Sequence, residues 1–223
     1  MATDVDICNG ALSLLGARAQ VTCIEPPDSS AEAGYCARFF PMARKELIEG
    51  GAWAFAKRRV ALAEVDNASN IWQYAYTIPS NMVNALRVVQ QRYLIAAGLA
   101  WPLVYEPQGL TNWTLVDEMF NERGSAQFTI ENGVLYTNEP DAVLLYTVDV
   151  TDATKFPAMF CTTLSMLLAS YLCGPILKGV TGMQAAKGWR DAAMGMQARA
   201  EASDANSTDQ RAEHVAAHLR ARW

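Results

Sequence analysis

The stretch FPAMFCTTLSMLLASYLCGPIL, residues 156–177, carries no charged side chain, and its reading decides the fold. Its length alone would allow it to cross a bilayer, which needs roughly 20 apolar residues. Pro157, Gly174 and Pro175 sit near its ends, and Thr162, Thr163, Ser165 and Ser170 interrupt it. On a helical wheel Phe160, Leu164, Leu167, Leu168, Tyr171 and Leu172 share one face, and Thr162, Ser165, Ala169 and Cys173 the other. That pattern predicts a core helix buried on two sides, whose small face lets a neighbouring element approach closely. A single membrane span is the alternative; we read no membrane association.

A helix apolar on two sides needs partners, and both flanks supply them. Downstream, residues 183–203 carry Trp189, Met196 and many alanines in a second helical pattern. Upstream, two helices open the chain. Thr3 and Asp6 form an acidic variant of the capping box, Ile7, Cys8, Ala11, Leu12, Leu14 and Leu15 line one face, and Gly16 stops the helix. A second helix is expected from Ser29 or Ser30, with Ser29 and Glu32 as its capping box, a kink at Pro41 and an end at Gly50-Gly51. Arg44 falls inside its apolar arc. It either pairs with a buried carboxylate or faces a partner.

Between these helical halves the periodicity drops to two. Strands are expected at Trp53–Val65, Trp72–Ile78, Asn84–Arg92, Leu103–Glu106, Gln127–Glu131, Val134–Thr137 and Val143–Val148. Asn132-Gly133 between two of them is a strong type I′ hairpin signal. The fold class is therefore α+β: a helical bundle formed by both chain halves (1–51 and 152–203), an inserted, mainly antiparallel β region (52–151), and a C-terminal arm (204–223). The arm opens with polar residues and ends in a short helical pattern, Ala212–Trp223.

Composition narrows the function classes. Hydrophobic residues make up 51% and charged residues only 18%, which suits a surface partly covered by other subunits. Net charge is −5, with the acidic excess in the front two-thirds, so the surface as a whole does not grip nucleic acid. Five scattered cysteines without a C-x-x-C pair form neither a disulfide framework nor a zinc ribbon. Asp4 and Asp6 stand where a signal peptide would be basic, so we expect a chain made and kept in a reducing compartment.

No catalytic constellation is legible. His214 and His218 are the two histidines; their i,i+4 spacing fits a metal pair in principle, but Val215 stands where a metalloprotease has Glu. Nucleophile elbows and phosphate-binding glycine loops are absent from the sequence, and carboxylates such as Asp117 and Glu118 cannot be assigned to one cleft. We expect no enzyme activity, no metal and no cofactor. Lys57-Arg58-Arg59 is the clear basic cluster, either a solvated strand edge or a contact for passing phosphates.

Several strings then carry a resemblance. They are Ile7-Cys8-Asn9-Gly10-Ala11-Leu12 with Leu15-Gly16, Phe40-Pro41-Met42-Ala43-Arg44 with Glu46-Leu47, and Trp53-Ala54-Phe55-Ala56. Trp72-Gln73-Tyr74-Ala75-Tyr76, Ile78-Pro79, and Asp152 with Phe156-Pro157 before the apolar helix complete them. In this order they resemble the tail tubular protein A family, the head-to-tail adaptors of short-tailed, T7-like phages, from near the N-terminus to about residue 203.

The resemblance implies a virion protein, assembled in the host cytoplasm into a ring of about twelve subunits closed by heterologous contacts. Such a ring lies between the portal and a tail nozzle resembling tail tubular protein B, and extends the channel through which double-stranded DNA is ejected. On this basis Lys57, Arg58 and Arg59 are DNA-channel candidates. By position in the arm, Leu219, Arg220, Arg222 and Trp223 are portal-contact candidates, aromatic and guanidinium anchors being typical of interface hot spots. Two other classes stay open: a tail-associated hydrolase of cell-envelope polysaccharide, and a DNA-binding virion protein.

Overall fold

The computed structural model describes residues 2–17, 20–90 and 126–205. Their fold is α+β. Four helices, α1 (Asp4–Leu14), α2 (Ala31–Glu49), α3 (Ala158–Leu177) and α4 (Gly179–Ala205), accompany seven strands among the described residues. The strands are β1 (Lys57–Ala61), β2 (Glu64–Val65), β3 (Tyr74–Thr77), β4 (Met82–Gln90), β5 (Phe128–Glu131), β6 (Val134–Thr137) and β7 (Ala142–Val148). The expected strand Leu103–Glu106 lies outside the described residues. Two compact units are formed: residues 2–17, 20–58, 79–86 and 146–205 make the helical one, and residues 59–78, 87–90 and 126–145 the strand-rich one.

In the helical unit, α1, α2 and α4 all pack on α3. Phe160, Leu164, Leu168 and Leu172 of α3 are buried, as are Ala169 and Cys173 of its small face. Thr162, expected on that small face, is exposed, and Thr163 is buried in its place. The buried hydroxyl of Thr163 is satisfied within the helix, donating to the Met159 carbonyl at 2.8 Å. Gly10 of α1 marks a close approach: a Cβ there would stand 3.2 Å from Ser165 Oγ, and that hydroxyl donates to the Ile7 carbonyl at 3.3 Å.

Local chemistry sets the helix ends. The amide of Asp6 donates to Thr3 Oγ1 at 3.1 Å while the Thr3 amide donates to the Asp6 carboxylate at 2.9 Å, a complete capping box. Gly16, at φ +70, lets Ala17 N donate back to Leu12 O at 3.1 Å and closes the C-terminus. The cap of α2 is Ser30 rather than Ser29, with its side chain accepting from Ala33 N at 3.2 Å. Asp28 selects it by accepting from the Ser30 amide (2.9 Å) and hydroxyl, so Ser30 is oriented before the helix begins. Pro41 does not end α2, which runs through it to Glu49.

The long strand expected over Trp53–Val65 is broken. Trp53 is fully buried, its indole N–H donates to the Leu47 carbonyl at 2.7 Å, and a 3-10 turn at Ala54–Ala56 follows before β1. A second sheet has the order β1-β7-β4. In the strand-rich unit, β2-β3-β6-β5 is antiparallel throughout, with Glu131 opposite Val134 across the Asn132-Gly133 turn. Both turn residues have positive φ, 50° and 79°, as a type I′ turn requires.

Candidate interaction surface

Of the strings that carried the resemblance, those in the first 56 residues and at Asp152 and Phe156-Pro157 lie in the helical unit, whereas Trp72–Tyr76 and Ile78 lie in the strand-rich one. Ile7, Cys8, Ala11 and Leu12 of α1 and Phe40, Ala43 and Leu47 of α2 are buried. The rings of Trp53 and Phe160 meet edge-on with centroids 4.9 Å apart, Phe55 lies 5.6 Å from Phe156, and Phe156 lies 4.9 Å from Phe160. Aromatic groups separated by about a hundred residues thus form one cluster, and such pairs add roughly 0.5–1.5 kcal/mol each beyond their buried area. These residues build the fold, so any functional surface must be sought outside them.

Arg44 is 7% exposed and holds Asp149 in a two-pronged pair, Nε to Oδ1 at 2.8 Å and Nη2 to Oδ2 at 3.0 Å. Its guanidinium also lies 5.8 Å from the centre of the Phe40 ring. Arg44 is thus buried and matched by a carboxylate within its own unit. Asp4, at the start of α1, keeps one buried carboxylate oxygen without a hydrogen bond. Burial raises its pKa, partly offset by Arg44.

The basic run does not present three cations together. Alternation along β1 puts Arg58 on the face opposite Lys57 and Arg59. Arg58 alone is exposed, and its guanidinium folds back to donate to the carbonyls of Lys57 (2.7 Å) and Phe55 (3.2 Å). Lys57 and Arg59 are half-buried, and burial lowers the pKa of Arg59. Leu219, Arg220, Arg222 and Trp223, like His214, His218, Asp117 and Glu118, lie outside the described residues.

Among the described residues, no group of three or more His, Cys, Asp or Glu side chains stands close enough to hold a metal ion. Burial pushes the thiols of Cys161 and Cys173 up. Cys8 is pushed up as well, first by its hydrogen bond with Cys36 and then by burial. Protonated thiols of this kind are poor nucleophiles. A cleft of about 230 Å³ between the first turn of α3 and the last turns of α4 is lined by Pro157, Ala158, Met159, Ala200, Ser203 and Asp204. It is smaller than the roughly 300–1,000 Å³ of small-molecule sites.

Two features were not legible in sequence. Glu46 of α2 accepts from both the Tyr171 hydroxyl of α3 and the Arg190 guanidinium of α4, tying three helices at one carboxylate. Burial, then the hydrogen bond to Glu46, raises the pKa of Tyr171. Asp204, expected to open the arm, is instead buried in the last turn of α4, and its carboxylate accepts from the Ala54 amide.

The most exposed large apolar side chains of the helical unit, among the described residues, lie on the outer side of α4. Val180, Met183 and Met194 are 69%, 72% and 63% exposed, and Lys187 lies on the same arc by helical spacing. In the strand-rich unit, Ile71 on the loop between β2 and β3 is 83% exposed. Helix Ala158–Leu177 is long and apolar enough to cross a membrane, and Leu164, Leu167, Leu168 and Leu172 of it are buried in the core just described. Set against known proteins, the chain matches no family model and no curated sequence.

Proposed function

We propose that the chain is a structural virion subunit, a head-to-tail adaptor like those of the tail tubular protein A family. It would form a closed ring of about twelve copies between portal and tail nozzle and extend the DNA channel. One observation carries this reading: the strings that carry the resemblance in the first 56 residues and at Phe156-Pro157 meet in one core around α3. Residues that jointly specify a fold support a shared architecture more strongly than the same strings would if scattered over loops.

Two further features are in keeping with it. Charged side chains are few, and large apolar ones stand exposed on α4 and at Ile71, which suits a protein that meets other copies of itself. The net charge of −5 disfavours adhesion to a passing DNA duplex.

The test is negative-stain imaging and mass measurement of the purified full-length chain, alone and mixed with portal protein. Closed rings that join the portal are expected. A protein that stays monomeric alone and with portal, or that turns over cell-envelope polysaccharide, would replace this reading. For portal binding, the informative truncation removes residues 206–223 and keeps the buried Asp204; loss of portal binding is expected.

A further inference from the structure

The two most exposed apolar sites carry charge of opposite sign. Lys178 precedes Val180 and Met183 in the chain and Lys187 follows them on the same arc of α4, all four side chains being exposed. In the strand-rich unit, every exposed charged side chain among the described residues is acidic: Glu64, Asp66, Glu131 and Asp141. The arginines of that unit, Arg59 and Arg87, are half-buried.

Glu64 and Asp66 stand where the chain enters the β2–β3 loop that carries the exposed Ile71. Its shape is fixed by its own polar groups. Asn67 donates to the Trp72 carbonyl at 2.6 Å and accepts from the Ser69 amide at 2.9 Å. Ser69 Oγ accepts from the amides of Ile71 (3.2 Å) and Trp72 (3.3 Å). An apolar side chain offered on a pre-shaped loop loses little conformational freedom on docking.

We propose that the β2–β3 loop of one copy docks on the first turns of α4 in a second copy. Ile71 sits against Val180 and Met183, while Glu64 and Asp66 face Lys178 and Lys187. The inference rests on the ring reading above and names the surfaces that join neighbours. Charge complementarity selects the occupant: a loop on the acidic strand-rich unit fits an apolar patch that has lysines before and after it in the chain, and this chain carries both halves. An apolar centre within a charged rim is the usual anatomy of a specific interface, with the rim setting register and encounter rate. Because the two patches differ, the contact is heterologous, and its repetition closes a ring or extends a filament.

Charge reversal of the full-length protein tests this by sedimentation velocity and mass photometry over a range of concentrations. K178E/K187E and E64K/D66K alter only exposed side chains, so circular dichroism and melting should be unchanged. Each variant alone is expected to self-associate at least tenfold more weakly than the native chain. An equimolar mixture should assemble again, since each reversed helix then finds a reversed loop. Ile71→Asp should weaken association without rescue by either partner.

Native rings with both reversals assembling normally would overturn the docking proposal and leave the ring reading standing. Open filaments that depend on these residues would support the docking and count against the ring. A native chain that stays monomeric alone and with portal overturns both. If K178E/K187E abolishes binding to a DNA duplex but leaves self-association unchanged, the patch serves DNA and the proposal fails.

Discussion

Helices α3 and α4 are joined by the single residue Lys178, yet they are held in opposite ways. In α3, of 20 residues, large side chains such as Phe160, Leu164, Leu168 and Leu172 are buried, and the small ones Ala169 and Cys173 are buried too. In α4, of 27 residues, the buried positions form a narrow line through Gly182, Ala193, Ala200 and Asp204. Small residues let α4 lie close but remove little apolar area from water, at roughly 25 cal/mol per Å². The centre of the unit is therefore α3, and α4 keeps a broad outer side that its own fold does not use.

The largest effect should come from the centre. Phe160→Ala removes a ring that touches Trp53, Phe55 and Phe156, and should cost about 4 kcal/mol in urea unfolding. Met194→Ala, on the open side of α4, should stay within about 0.5 kcal/mol. Equal costs for the two would erase the contrast between the helices.

Gly182→Val comes next. A Cβ at Gly182 would meet the Cys173 carbonyl oxygen at 2.9 Å, so the variant must push the two helices apart, at about 2 kcal/mol by the same unfolding assay. The joint itself is strained. Lys178 has φ 53 and ψ 162, a conformation suited to glycine, and Lys178→Gly should raise the unfolding free energy by about 1 kcal/mol.

The smallest effect concerns acid. Hydrogen bonds donated to it by the Thr154 hydroxyl first, and then by the Thr154 backbone amide, hold the Asp152 carboxyl below its usual range just ahead of α3. Asp28 ahead of α2 is lowered likewise, chiefly by Ser30. A lowered folded value adds stability that is present above the unfolded carboxylate value of about 3.9 and lost as pH falls through the folded one. Asp152→Asn should flatten the melting temperature against pH below about 4. Asp4 acts in the opposite sense: its raised value adds stability below the unfolded value that disappears as pH climbs through the folded one. An Asp4→Asn variant should then melt higher than the native chain at neutral pH.

What could be read from sequence was whatever depends on near neighbours in the chain. The Thr3–Asp6 box, the Asn132-Gly133 turn and the central burial of the uncharged helix all follow from spacings of a few residues. The partner of Arg44 was legible as a carboxylate but not as Asp149, because the pair spans 105 residues. The span Trp53–Val65 has strand-like propensity throughout, yet it holds a 3-10 turn at Ala54–Ala56 and two separate strands, Lys57–Ala61 and Glu64–Val65. Tertiary contact overrides propensity there. The tie at Glu46 left no local signal, since its two partners come from helices more than a hundred residues away. Ile71 did carry one, a large apolar residue directly after the turn-forming Asn67-Ala68-Ser69-Asn70.

That α1 and α2 pack on α3 also bears on synthesis. At about 5–20 residues per second, a ribosome finishing α2 needs roughly 6 to 25 s to complete the helix on which it must pack. Throughout that interval the apolar faces of Ile7, Leu12, Phe40 and Leu47 have emerged without the surface that covers them. The front of the chain thus waits for its packing surface, and slowing translation within the intervening strands should lower the yield of soluble protein.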